Sequence, residues 1–320
     1  MVAGGGTIEA GGGGGASSDA ERTAPSLAVC LSGSLRTFAS TGPFLVAAVQ
    51  PSLPSIWMAA VNVQNPNDVE PAQALLSRTL HSGALIDVVV SHRSDAQCSD
   101  IRGQAQAAGL VKCWGMLERL RSRGFRFRWV LRTRPDVILP WILASLPVLP
   151  PQLDLVIAGY VGGCECPAKG TPTHCAHGGL HACIEDGTAL IHGIHAQRTY
   201  LYEFGNDFNA LNGHACRTPQ TPQRRHTLTC PVCRVGASRG ACAECKLGAS
   251  LAARGIPTFG LAPMLNTTAA AIVRAHTSNP LMKLKRSPVV VSGDMLKQSL
   301  DRGSCSQCVP LRHLINQTSS

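Results

Sequence analysis

Short apolar runs alternate with amphipathic stretches along the first half of the chain. Apolar runs of this length indicate buried strands, which we predict at 27–31, 56–63, Leu85–Val90, from Phe125 to near Pro135, and 153–158. Apolar residues at three- and four-residue spacing indicate helices, which we predict at 41–49, 71–80 and 104–123. Strands and helices in this order predict an α/β fold, with a mostly parallel central sheet and helices on both faces.

The second half of the chain has a different texture. After Tyr160 the sequence is rich in Gly, Cys and His and has few periodic runs, which predicts an irregular, Cys-rich carboxyl-terminal half. Helical patterns return at 188–204 and 244–254, and the stretch 218–242 predicts a Cys-rich insertion loop. The predicted divisions are a disordered Gly-rich tail at 1–25, an α/β domain at 26–280 and a carboxyl-terminal extension at 281–320.

The run FRFRWVLRTRPDVIL, which begins at Phe125, predicts a strand that delivers charged side chains to its carboxyl end. Side chains two residues apart on a strand share a face, so Arg132, Arg134 and Asp136 are expected on one face. Pro135 lacks an N–H group for the sheet ladder, so regular pairing should stop near it. Because open α/β sheets bind ligands at the carboxyl ends of their strands, this segment is the first candidate for a ligand site.

Composition and charge narrow the functional classes. The chain has 320 residues, of which 44% are hydrophobic, and this excludes a mainly disordered protein. The net charge of +10 favours an anionic partner, either a nucleic acid, a phosphorylated metabolite or an acidic surface. No apolar run is long enough to predict a membrane span. We expect a Golgi lumenal protein if an anchor precedes this sequence, and a cytoplasmic protein otherwise.

The cysteines suggest a structural metal site or disulfides. Fourteen cysteines are present, and most lie from Cys164 onward, whereas Cys30, Cys98 and Cys113 look isolated. Two C-x-x-C pairs separated by eight residues have ligands suited to a tetrahedral zinc site, namely Cys230, Cys233, Cys242 and Cys245. In an oxidising compartment the same residues would form disulfides instead.

Two motifs of the chain occur together in one group of proteins. The first is SGSLRTF at the end of the first predicted strand, from Ser32 to Phe38, and the second is RTRPD, from Arg132 to Asp136. In this order and spacing they resemble a group of glycosyltransferase-like proteins with the GT-A nucleotide-sugar fold. Weaker similarities around Glu185, Ala243 and Ile272 extend the resemblance over residues 27–275.

The resemblance implies transfer of a sugar from a nucleotide-sugar donor to a hydroxyl group of a glycan or another acceptor. It implies that Asp136 lies in the acidic motif that binds Mn²⁺ or Mg²⁺ and the diphosphate. It also implies that Ser32, Gly33 and Arg36 line the nucleotide pocket. Catalysis on a diphosphate leaving group needs cations nearby, and Arg132 and Arg134 could supply them.

The base that deprotonates the acceptor hydroxyl has separate candidates, which are Glu185, Asp186 and Glu244. Asp186 and Glu244 each precede a helical pattern, so their alternative role is to stabilise a helix amino terminus. Asp136 likewise has an alternative role as the cap of a turn, with the arginines paired to acids on a neighbouring strand. Ser32 and Gly33 could form a plain tight turn.

Two other functions remain open at this stage. The first is a zinc-stabilised basic protein that binds RNA or DNA through arginines of the Cys-rich loop, which are Arg224, Arg225, Arg234 and Arg239. That loop has no aromatic residue for base stacking, so a nucleic-acid partner is the less favoured choice. The second is an inactive protein that keeps the GT-A fold, because the group usually has an arginine where this chain has the run 192–195.

Overall fold

The computed structural model describes the backbone of residues 27–35, 37–90, 101–139, 141–158, 161–163, 182–184, 187–206, 247–248, 250–251, 253–260, 273–274 and 289–302. Seven strands form the central sheet, namely β1 (Leu27–Ser34), β2 (Ser55–Val63), β3 (Leu85–Val90), β4 (Trp129–Thr133), β7 (Leu155–Ala158), β10 (Thr188–His192) and β11 (Thr258–Gly260). Six further strands form two-stranded pairs, namely β5 (Val137–Ile138), β6 (Trp141–Leu143), β8 (Val161–Gly163), β9 (Ala182–Ile184), β12 (Val273–Arg274) and β13 (Val289–Val291).

Among the described residues, three of the five helices with defined bounds come from the first half of the chain. The five are α1 (Phe38–Ala47), α2 (Val69–Thr79), α3 (Ile101–Ser122), α4 (Ile194–Arg198) and α5 (Gly293–Arg302). A short 3₁₀ turn, Pro66–Asp68, leads into α2, and a π-helical turn, Thr199–Glu203, continues α4. No helix among the described residues has the length and apolar character needed to cross a membrane.

The central sheet has the strand order β11-β7-β10-β4-β1-β2-β3. Strands β1 to β4 are all parallel, as the alternating pattern of strands and helices predicted. β10 runs antiparallel to both of its neighbours, and it is the one reversed strand among these seven. From β1 the chain moves outward to β2 and β3, and it then returns to place β4 on the other side of β1. The strand order therefore reverses between β1 and β4.

Helices cover both faces of this sheet, which confirms the predicted layering. Alternate residues of β1 point to opposite faces, so that Val29 and Leu31 belong to one apolar cluster and Ala28 and Cys30 to the other. The first cluster is completed by side chains of α1, α2 and α5. The second is completed by α3. Its predicted stripe of Leu110, Cys113, Trp114, Leu117 and Leu120 is buried, except that Trp114 is only partly buried.

Several predicted boundaries were wrong, and the reasons are local. β1 does not break at Ser32 but continues to Ser34, because Gly33 and Ser34 still pair with β2. β4 begins only at Trp129, and Arg126 and Arg128 are exposed ahead of it. The helix predicted at 188–204 begins instead with the strand β10. Its five residues are all buried between two strands, and a short apolar run of this kind does not distinguish a strand from a helix.

The expectation that Cys30 and Cys113 are isolated was also wrong. Cys30 on β1 forms a disulfide with Cys113 on α3, and both residues are fully buried. The pattern of the two segments hid this bond, because each cysteine also fits the apolar stripe of its own element. The disulfide fixes α3 on β1, which is the neighbour of β4 and of the ligand site predicted at its end.

The predicted carboxyl-terminal extension contributes to the same core. β13 pairs with β6, and Val291, Leu296 and Leu300 belong to the cluster that α1 and α2 cover. At the start of α5 the backbone N–H of Gly293 donates to the Ser145 hydroxyl at 2.9 Å. The described part of the extension is therefore integral to the fold.

The disulfide predicts a large effect on stability. It closes a loop with a sequence separation of 83 residues, and loop-closure entropy puts its contribution at roughly 4–5 kcal/mol. We expect Cys30→Ala, Cys113→Ala and the double variant to lose similar amounts of unfolding free energy in denaturant titrations, because any of the three changes removes the same bond. Near-additive losses in the double variant would contradict the disulfide.

Candidate functional site

The candidate site lies at the carboxyl edge of the sheet, where the strand order reverses. β1 and β4 are parallel neighbours, with Leu31 opposite Thr133, so both strands end side by side. In open α/β sheets the crevice outside such a reversal is the usual place for a ligand. The two segments singled out from the sequence, Ser32 to Ser34 and Arg134 to Asp136, therefore meet at one place in the fold.

Gly33 permits close contact between these two segments. Its φ is +137°, in a region that residues with a side chain rarely adopt, and a Cβ atom built on it would lie 3.2 Å from Cδ of Pro135. A larger residue would push the turn that carries Asp136 away from β1. The glycine thus acts through its missing side chain, but it lies within the paired strand and not in the tight turn that the sequence offered as an alternative.

Helix α1 holds the same turn from the other side. The hydroxyl of Thr41, fully buried in the first turns of α1, donates a hydrogen bond to the carbonyl oxygen of Pro135. The backbone N–H of Val137 bonds to the carbonyl oxygen of Arg134 at 3.3 Å. Pro135 ends the pairing of β4, as predicted, and these contacts replace the ladder that it interrupts.

Arg134 and Asp136 form a bidentate ion pair inside this turn. Nε of Arg134 donates to Oδ1 of Asp136 at 2.8 Å, and Nη2 donates to Oδ2 at 2.7 Å. The exposed fractions of the two side chains are 16% and 7%, so the pair is largely shielded from water. The sequence anticipated an acid beside cations here, but it did not anticipate that the nearest cation would engage both carboxylate oxygens.

Two further residues predicted to bind the cofactor are buried beneath the site. Arg132 is fully buried within β4, on the face that α3 covers. Ser32 is also fully buried, and a Cβ atom on Gly109 of α3 would lie 3.0 Å from the Ser32 Cβ. The Ser32 hydroxyl has no hydrogen-bond partner among the described residues. These side chains therefore lie under the carboxyl edge rather than on its surface.

A pair of threonines borders the site on the side of β10. Thr133 at the end of β4 faces Thr188 at the start of β10, and their hydroxyl oxygens are 3.4 Å apart. Both residues are almost completely buried. Because β10 is antiparallel, its amino-terminal end reaches the same edge at which β1 and β4 finish.

The donor set for a divalent cation can be judged from these residues. Mg²⁺ and Mn²⁺ are often bound through one or two carboxylates together with water and substrate phosphates. Asp136 is the carboxylate at this edge in the described part of the chain, and it could take that role if its pair with Arg134 opened. No group of three or more potential metal ligands occurs among the described residues.

The remaining predicted site residues lie outside the described residues. They are Arg36 for the nucleotide, Glu185, Asp186 and Glu244 for acid-base chemistry, and Cys230, Cys233, Cys242 and Cys245 for zinc. The basic loop residues of the nucleic-acid alternative fall outside as well. Their roles stay predictions.

His192 is a buried residue that the sequence analysis did not single out by itself. It ends β10, its ring centroid lies 4.7 Å from that of Trp129, and Nδ1 donates to the carbonyl oxygen of Leu153 at 2.6 Å. Nε2 is buried and has no hydrogen-bond partner among the described residues. Burial lowers the pKa of His192, because it disfavours the charged imidazolium, and the bond to Leu153 only partly offsets this.

The packing of Gly33 can be tested against a second glycine. We expect Gly33→Ala to lower the unfolding free energy by more than Gly124→Ala, which also has positive φ but has no atom within 4 Å of the added Cβ. Positive φ alone costs about 1–2 kcal/mol, and the contact with Pro135 adds to it only at Gly33. Urea titration of both variants measures the difference. Equal losses would mean that the approach to Pro135 does not constrain the turn.

The depressed pKa of His192 predicts a pH dependence. The unfolded chain takes up a proton on this residue below about pH 6.5, whereas the folded protein resists it until lower pH. Stability should therefore fall as the pH drops below about 6.5, with a slope of up to about 1.4 kcal/mol per pH unit from this group.

Denaturant titrations between about pH 5 and 8 test this dependence. His192→Gln should flatten the dependence, whereas the exposed control His195→Gln should leave it unchanged. If the profiles of the two variants coincide, His192 does not titrate as its burial requires.

Comparison of the chain with models of known protein families and with curated proteins gives no match. The described residues establish a mixed α/β protein with a mostly parallel seven-stranded sheet and a candidate site at the carboxyl ends of β1 and β4.

Proposed function

We propose that the protein is a GT-A-like glycosyltransferase that binds a nucleotide-sugar donor at the carboxyl ends of β1 and β4. The observation that carries this proposal is the Arg134–Asp136 pair at the point where the strand order reverses. A partly buried cation and a buried carboxylate at this position match the two needs of a donor diphosphate, which are positive charge and a ligand for a divalent cation. The resemblance of the two motifs to glycosyltransferase-like proteins supports the same assignment.

In this proposal, binding of the nucleotide sugar gives Arg134 and Asp136 new partners in place of each other. Arg134 turns from Asp136 to the diphosphate oxygens, for which its planar guanidinium is well suited. Asp136 would then hold Mg²⁺ or Mn²⁺ together with the phosphates. The bound cation would neutralise negative charge that develops on the leaving diphosphate. Gly33 contributes by letting the backbone of β1 approach the turn at Pro135 closely.

The core disulfide supports a location for this activity. Disulfides persist in oxidising compartments and are rare in the cytosol. A buried bond between Cys30 and Cys113 therefore favours a lumenal protein, such as one of the Golgi, over the cytoplasmic alternative.

A second candidate is a protein that keeps the fold without sugar transfer. The observation that favours it is the full engagement of Asp136, because both of its oxygens accept from Arg134 and only 7% of its side chain is exposed. If the ion pair is a permanent brace for the turn, the metal has no carboxylate here. The two candidates make opposite predictions for nucleotide binding.

A melting screen of nucleoside diphosphates with and without Mn²⁺ tests the proposal. We expect one nucleotide to raise the melting temperature only when Mn²⁺ is present, with a stabilisation of about 2.7 kcal/mol at a ligand concentration of 100 times Kd. Asp136→Asn should abolish the dependence on metal. The control Asp87→Asn removes a carboxylate of the edge strand β3, where Asp87 is paired with Lys112 of α3. This variant should retain the dependence on metal.

The same proteins separate the two candidates. A metal-dependent shift, followed by release of nucleoside diphosphate from the matching nucleotide sugar, supports the transferase. A metal-dependent shift without turnover on any donor and acceptor pair would refute the permanent ion pair and would leave donor binding without transfer. Absence of any shift with every nucleotide would refute donor binding at this edge and support the inactive fold.

A further inference from the structure

A cleft opens at the opposite edge of the sheet, away from the candidate donor site. Its volume is about 520 Å³, which falls within the range of small-molecule sites. Two of its walls immediately precede β7 and β11, and because these strands are parallel to each other the cleft lies at their amino ends. Its lining residues are Gln152, Leu153, Asp154, His195, Arg198, Thr199, Glu203, Arg254, Gly255, Ile256 and Pro257.

The π-helical turn Thr199–Glu203 supplies one wall of this cleft. A π turn interrupts the regular helical hydrogen bonds, and such turns occur frequently at functional sites. Here the turn brings Glu203 within reach of Arg198, which precedes the turn, and of the Thr199 hydroxyl at 3.2 Å. The irregular geometry thus gathers charged and polar side chains on one side of the cleft.

Glu203 holds two arginines together. Its Oε1 lies 3.2 Å from Nε of Arg198, and its Oε2 lies 2.6 Å from Nε of Arg254. A shared carboxylate reduces the repulsion between the two cations and limits the freedom of both side chains. Nη1 of Arg254 also donates to the Ser250 carbonyl oxygen at 3.1 Å. The two guanidinium groups therefore lie beside one carboxylate on the same side of the cleft.

The terminal nitrogens of Arg198 and Arg254 carry N–H groups that could donate to a ligand. Each guanidinium has five N–H donors, and the shortest contact of each with Glu203 uses Nε. The exposed fractions of Arg198 and Arg254 are 57% and 41%, so both face solvent at the mouth of the cleft. A planar oxyanion can accept two parallel hydrogen bonds from such a group.

Asp154 adds an acceptor to the same cleft. Its Oδ1 receives the backbone N–H of Ala196 at 2.9 Å, and its Oδ2 accepts no hydrogen bond from the described residues. The cleft is lined by two arginines and two carboxylates, so their formal charges cancel. The net charge of the cleft therefore gives little attraction to a simple anion. A ligand with both an oxyanion and hydroxyl groups would satisfy the arginines and Asp154 together.

We propose that this cleft binds a small hydroxylated oxyanion, with the phosphate or carboxylate group on Arg198 and Arg254 and a hydroxyl group on Asp154. Leu153, Ile256 and Pro257 form the apolar part of the lining and suit a short carbon skeleton. The proposal does not depend on sugar transfer, because it uses none of the residues at the carboxyl ends of β1 and β4.

Isothermal titration calorimetry with glycerol 3-phosphate, glycerate, inorganic phosphate and glycerol tests the proposal. The first two probes share the hydroxyl groups and differ in the oxyanion, so they distinguish a phosphate site from a carboxylate site. Glycerol 3-phosphate or glycerate should bind more tightly than inorganic phosphate, and glycerol should not bind. Tight binding of inorganic phosphate alone would overturn the role of Asp154.

Variants assign the binding to this cleft. Arg198→Gln and Arg254→Gln should each weaken binding about tenfold or more, since each removes a charged hydrogen bond. Each variant leaves Glu203 with one arginine, so both should fold. The control Arg119→Gln removes an exposed arginine of α3 and should bind like the unaltered protein. Equal affinity in all four proteins, or no binding of any probe, would overturn the proposal.

The two sites can be told apart, although a nucleoside diphosphate is itself a hydroxylated oxyanion. Stabilisation by a nucleotide that survives Asp136→Asn and disappears in Arg198→Gln belongs to this cleft. Stabilisation that disappears in Asp136→Asn and survives Arg198→Gln belongs to the donor site. Either proposal can therefore fail without the other.

Discussion

The parallel pairing of β1 with β4 is the constraint on which the rest of the structure depends. It aligns Leu31 with Thr133 and so brings two segments about one hundred residues apart in sequence to the same edge. Gly33 can then contact Pro135, and Thr41 of α1 can bond the same turn. If β4 shifted by one residue against β1, Arg132 would point to the face of the sheet that Thr133 now occupies. The apolar clusters on both sides of the sheet would then be disrupted.

The disulfide reinforces this arrangement from the face of the sheet that α3 covers, opposite to α1. Cys30 lies on β1 immediately before the residues that reach the candidate site, and Cys113 lies in the middle of α3. Gly109, one turn earlier in α3, allows the helix to rest directly against Ser32 and the backbone of β2. The carboxyl end of β1 is thereby held by a covalent bond, a close helix contact and two parallel strands. Such rigidity would suit the proposed binding of a diphosphate at this edge.

The sequence was sufficient for the elements whose pattern is long and regular. β3 and the stripe of α3 were predicted closely, because a short run with five apolar residues between turns and a repeated three- and four-residue spacing each have one simple interpretation. β10 was missed because five buried residues carry no periodicity, and its antiparallel direction depends on tertiary pairing alone. Pairings between distant residues, such as Cys30 with Cys113 and Glu203 with Arg254, leave no local signal. The RTRPD segment was located correctly, but the engagement of its arginine with its own aspartate depends on side-chain geometry.

The shielding of the Arg134–Asp136 pair limits which ligands can open it. Removing one partner from a buried ion pair costs about 3–5 kcal/mol, because the other charge loses its counterion in a poorly solvated place. A free cation would take Asp136 and leave Arg134 without that carboxylate, and a free phosphate would have the converse effect. A divalent cation bound to a diphosphate supplies new partners for both charges at once. The same ion pair that stabilises the empty turn would therefore make binding of the metal and of the nucleotide mutually dependent, which is the behaviour expected of a donor site and not of a general anion site.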